Sequence, residues 1–135
     1  MQITALIFGL AALGLVALAA RYLFGPAPAD YHRQILSHDG VGDVAPLTPI
    51  FRTLYVIIGS SVLSVALGVG ALAAGPVLAG SGQAVAIATG MALVAGVPAG
   101  VVAWQAERRT GVRTPWRPVA GLTALVAFGA ALAAL

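Results

Sequence analysis

Two histidines and two aspartates stand within twelve residues of one another in this chain: His32, His38, Asp39 and Asp43. Histidine beside a carboxylate is a pairing that general acid–base catalysis uses, because imidazole titrates near neutrality and the carboxylate orients it. The same residue types ligate divalent metals, but two histidines six positions apart do not share a helix face as an i, i+4 metal pair does. His32, His38 and Asp43 are therefore the only catalytic candidates, solvated loop residues are the default expectation for them, and no cofactor is expected.

His38 and Asp43 have a His-x4-Asp spacing that resembles the catalytic motif of the glycerolipid acyltransferases. That resemblance implies a histidine base oriented by the aspartate and acting on a hydroxyl. It covers two residues, and the chain has neither that family's larger domain nor its phosphate-binding arginine motif.

Composition dictates what must hold such residues. Of 135 residues, 60% are apolar and 8% charged, and the mean hydropathy is +0.99. Average soluble domains carry about 25% charged residues, and a domain this small needs a polar coat that eleven charges cannot supply. A soluble domain is excluded, and so is disorder, which requires few apolar residues. The chain reads as an integral membrane protein. It has no cysteine, hence no disulfide or thiolate chemistry. Every basic residue is arginine and there is no lysine or asparagine, a bias typical of high-GC bacterial coding.

A hydrocarbon core of about 30 Å needs about 20 apolar helical residues. Four windows qualify: 3–24, 53–74, 83–104 and 119–135. The expectation is one all-α membrane domain, an antiparallel four-helix bundle with loops at 25–52 and 105–118. All eleven charges fall at these two loops or their borders, and the turn 75–82 has none. Four spans put both charged loops on one side, and all seven arginines go with them. The excess of basic residues on cytoplasmic loops then places both termini on the outer, periplasmic side of a bacterial inner membrane. Tyr22, Phe24, Phe51, Tyr55, Trp104 and Trp116 flank the same ends of the spans, at headgroup level. No basic segment precedes the first apolar run, so it is expected to be a retained span, not a signal peptide.

Helices in lipid associate through close contact of small residues. Ser60, Ser64 and Gly68 form such a stripe on the second span, and Ala92, Gly96 and Gly100 on the third, with Ala88 at its start. Pro98 removes one backbone bond within the third span, which predicts a static bend. Thr48-Pro49 and Thr114-Pro115 read as helix starts, threonine at the N-cap and proline next. In the longer loop, Asp30 is placed to cap a short interfacial helix through Ser37, ended by Gly40 and Gly42. Arg108, Arg109, Arg113 and Arg117 form a basic patch that suits anionic lipid headgroups or an acidic partner.

No Asp, Glu, Lys, Arg or His lies near a bilayer midplane, and such residues usually mark proton relays and coupled transport. The first expectation is a non-catalytic accessory subunit that packs against a larger inner-membrane complex or against copies of itself. Its partners would be lipids and membrane proteins, not nucleic acid. A transport component for a neutral solute, lined by hydroxyls, is the alternative. A membrane enzyme using His32, His38 and Asp43 is the second.

Overall fold

A computed structural model describes all 135 residues and contains only helix, turn and loop. The four apolar runs become α1 (Gln2–Phe24), α3 (Thr48–Leu72), α4 (Gly82–Thr110) and α5 (Trp116–Ala133), with the short α2 (Asp30–His38) between the first two. Each of the four long helices is long and apolar enough to cross a membrane. The rise of 1.5 Å per residue gives α4 a length of about 44 Å and α5 about 27 Å. The last turns of α4 therefore extend past any hydrocarbon layer, whereas α5 only just matches one.

The helices begin and stop where backbone chemistry permits. The Ser81 hydroxyl accepts from the Ala84 amide at 3.2 Å and caps α4. Gly111 ends α4 with φ +71, a left-handed conformation that glycine takes without strain. Gly40, at φ +85, turns the chain just after α2. Between α3 and α4 a π-helical turn, Ala73–Val77, absorbs Pro76. α4 stays helical through Pro98.

Three helix starts differ from the sequence reading. Ala29, not Asp30, is the N-cap of α2, and Asp30 is its first helical residue, with no capping bond from its side chain. The reason is that the Ala29 amide is held from outside, by the Tyr55 hydroxyl at 2.9 Å. At α3 a 3-10 turn, Ala45–Leu47, leads into the helix, and Leu47 takes the cap position expected for Thr48. At α5 the cap is Pro115, because the Thr114 hydroxyl is turned back to donate to the Ala103 carbonyl at 2.8 Å.

The long helices form a ring in which α1 neighbours α3 and α5, and α4 neighbours α3 and α5. Neighbours pair in opposite residue order. Gly59 meets Leu23 and Gly70 meets Ala12; Gly14 meets Leu122 and Gly129 meets Phe8; Gly96 meets Thr123 and Gly100 meets Val119. Glycine at these points lets backbones approach closely, which is how helices gain van der Waals contact where lipid offers no hydrophobic drive.

Packing is uneven along the ring. The densest core, around Phe8, Ala11, Val69, Val77, Ala88 and Val126, lies at the end that carries the 73–82 turn and both chain termini. Nearer the charged loops the four helices enclose an apolar void of ≈ 90 Å³ among Leu18, Val62, Ala95 and Leu122. Large apolar side chains such as Leu13, Val94 and Phe128 face outward. A surface of that kind is stable in hydrocarbon and would associate in water.

Ser60 and Ser64 are exposed, and the buried positions beside them on α3 are Gly59, Ala66 and Val69. Gly68 lies against Met91 of α4. Ala92 is buried, while Gly96 and Gly100 face α5. Ser61, Ser64, Thr89 and Thr123 each donate to the carbonyl four residues earlier, at 2.7–3.0 Å. Such back-bonding satisfies a hydroxyl within its own helix, with no water needed.

Candidate functional site

Every charged side chain gathers at the loop end of the ring. The amphipathic α2 lies there, tied to three long helices. Its first link is to α3: the Tyr55 hydroxyl accepts from Ala29 N and is hydrogen-bonded to Nδ1 of His32. With one lone pair occupied by the amide, the phenolic proton is free to go to Nδ1 of a neutral imidazole. Burial lowers the pKa of His32, which favours that neutral form. The ring sits against Tyr31, Phe51 and Tyr55, with centroids 4.0, 5.5 and 5.6 Å away. The Tyr22 and Tyr31 hydroxyls are 3.3 Å apart. Burial, reinforced by that hydrogen bond, drives the Tyr31 phenol well above its usual pKa, so it stays protonated. Beside this cluster Arg52 ties α3 to α1 by donating to the Leu23 carbonyl at 2.8 Å.

The link to α4 is ionic. Arg109 Nη2 donates to Asp39 Oδ2 at 2.8 Å, and His38 Nδ1 lies 3.2 Å from the other carboxylate oxygen. The hydrogen bond from His38 and then the Arg109 charge hold the Asp39 carboxyl below the usual range. All three side chains are exposed, so the link is worth little energy on its own and mainly sets where α2 ends.

The catalytic candidates are not assembled. His38 pairs with Asp39, not Asp43, and Asp43 accepts from the Ala45 amide at 2.9 Å, starting the 3-10 turn. His32 belongs to the tyrosine cluster. The His-x4-Asp resemblance therefore has no geometric counterpart: its aspartate is committed to backbone. No three His, Asp or Glu side chains lie close enough together to hold a metal ion.

The basic patch divides as well. Arg117 donates to both oxygens of Glu107, at 2.7 and 3.1 Å, and the same carboxylate accepts from Thr114 N at 2.9 Å. This clasp closes the α4–α5 turn. Arg108 lies over the Trp104 ring at 5.1 Å and Arg117 over Trp116 at 4.8 Å, within the range of a cation–π attraction. Of the four arginines in the patch, Arg108 and Arg113 have no carboxylate partner. From sequence Tyr22 and Tyr55 are only interfacial aromatics, and nothing in it joins Tyr31 to them. Only the fold brings three tyrosines from three helices together.

These two tryptophans border a groove of ≈ 510 Å³ on the outside of the α4–α5 pair, floored by Gly96, Gly100, Ala120, Thr123 and Ala124. The fold and the loop-end layer together define an integral membrane protein with four helices able to span a bilayer. No protein-family model, curated protein or solved structure matches the chain.

Proposed function

We propose that this is a non-catalytic accessory subunit of a bacterial inner membrane. In this reading it is an antiparallel four-helix bundle with both termini outside and the α2 layer in the cytoplasm. Its task is to seat a helix of a larger membrane complex.

The observation that carries this reading is the groove on α4 and α5. The chain fills its other helix contacts with glycine and alanine, yet leaves this small-residue surface open to lipid. Small residues favour close approach of another helix. The occupant is a membrane helix with an acidic residue at its cytoplasmic end, because both bordering tryptophans carry an arginine over the ring. The uncommitted Arg108 charge would complete such a contact.

A photo-crosslinker at Ala124, in full-length protein in native membranes, tests the reading. It should capture one membrane protein, and Ala124→Trp should release that partner from the particle isolated in mild detergent. A product of twice the chain's mass would assign the groove to a second copy. A particle of the chain's own mass, with no crosslink, would sink the proposal. Orientation is read separately from single cysteines beside Arg33 and Arg109, which should both label from the cytoplasm.

A further inference from the structure

A third cavity, of ≈ 750 Å³, opens at the seam between α1 and α5 beneath α2. It has two chemically distinct parts. Gly14, Leu18 and Leu122 form an apolar wall between the helices. Leu18 and Leu122 also border the void in the ring's centre, so the apolar wall continues inward. At the loop end the wall gives way to Arg21, Arg113 and Arg117, with Tyr31, Gln34 and Thr114 between them. Arg21 closes α1 and Arg113 lies in the α4–α5 turn, 92 positions apart in the chain.

The charges of this cavity are not balanced from within. Arg117 is neutralised by Glu107. Neither Arg21 nor Arg113 has a carboxylate within salt-bridge distance. One acid, Asp30, borders the space, at the first turn of α2, where the helix N-terminus favours a negative charge. Two unpaired guanidinium groups thus stand over hydrocarbon, with neutral hydroxyl and amide donors beside them. Guanidinium matches phosphate oxygens in pairs and is only weakly hydrated, which suits it to a site at the edge of lipid. Basic pockets between membrane helices at the cytoplasmic face are fitted to lipid headgroups.

We propose that this cavity is a binding site for one anionic phospholipid. The phosphate lies between Arg21 and Arg113, and one acyl chain runs along Gly14, Leu18 and Leu122 toward the central void. The site is independent of the α4–α5 groove and does not rest on the accessory reading.

Native mass spectrometry of the full-length protein, titrated in neutral detergent with phosphatidylglycerol or phosphatidylcholine, tests it. One phosphatidylglycerol should be retained with a preference of about thirtyfold, two cations each contributing near an anionic lipid. Arg21→Gln with Arg113→Gln should abolish the preference, and Arg21→Lys with Arg113→Lys should keep most of it. Leu122→Trp fills the apolar wall without changing charge and should lower phosphatidylglycerol retention; it serves if the glutamine pair does not fold. Equal retention of the two lipids, or a preference untouched by the glutamine pair together with a phosphatidylglycerol retention untouched by Leu122→Trp, overturns the site. Displacement of the lipid by glycerol phosphate at equal concentration overturns the lipid assignment, because the soluble headgroup alone would then suffice.

Discussion

Arg117 holds Glu107 through two guanidinium nitrogens, at 2.7 and 3.1 Å, across the turn that joins α4 to α5. The bond spans ten residues, and the same carboxylate also accepts from Thr114 N. One side chain of α4 thus sets the path of the turn and the start of α5. In Glu107→Gln the bidentate pair and its charge are lost together, and the melting temperature in micelles should fall. Arg117→Gln should lower it too, and the double variant should lose less than the two losses added, since both remove one interaction. Strict additivity in that cycle would show the pair to be unimportant.

Thr114 is 6% exposed and donates to the Ala103 carbonyl at 2.8 Å. Thr114→Val keeps the shape and removes the bond. The Ala103 carbonyl keeps its helical bond within α4, so the loss is that of one net hydrogen bond, about 0.5–1.5 kcal/mol. Reversible denaturation in mixed micelles measures this, and a change within error would mean that water replaces the hydroxyl.

Tyr55→Phe deletes one oxygen that serves two partners, Ala29 N and His32 Nδ1. The apolar ring contacts survive, so the bundle should fold. The Ala29 amide should exchange its hydrogen about five- to tenfold faster, as loss of a hydrogen bond of about 1–1.5 kcal/mol implies. Unchanged exchange would show that the amide is protected by burial alone.

The pH dependence of α2 follows from His32. Its folded pKa lies below the unfolded value near 6.5, because its site is partly desolvated. The neutral ring is the form the fold prefers, so its contribution is complete above pH 6.5 and is lost as pH falls through the folded pKa. A fluorescent probe at Ser37→Cys should become more mobile as pH is lowered from 7.5 to 5. His32→Phe should flatten that response, and an identical response in the variant would assign the transition to the exposed His38–Asp39 pair.

At Gly59 a Cβ would stand 2.7 Å from Leu23 Cγ and 3.2 Å from the Ala19 carbonyl oxygen. The backbone oxygen cannot move aside as a side chain can. Gly59→Ala should therefore cost about 1–3 kcal/mol by overpacking, while Gly90→Ala, where nothing lies within 4 Å, should be neutral. Equal melting temperatures for the two would show that α1 and α3 are not in this contact.

The amino-acid sequence alone determined which segments are membrane-length helices, because 20-residue apolar runs free of charge have no other stable form in water or lipid. It also determined that the ionic groups collect at one end, since charge placement is written along the chain. Helix boundaries were less legible. Thr114-Pro115 has the pattern of a start signal, but the threonine hydroxyl found a carbonyl eleven residues earlier, a partner no local pattern contains. The stripes showed the same limit: α3 carries small residues on more than one face, so Ser60 and Gly59 look equally suitable until a neighbouring helix selects one. Only the tertiary structure decided that His38 and Asp43 go to different partners, that Tyr22, Tyr31 and Tyr55 meet, and that Arg113 shares a cavity with Arg21 and stands apart from Arg109. Those outcomes depend on which helices lie side by side and at what height. Hydropathy cannot supply that information, because every apolar face meets lipid about as well as it meets another helix.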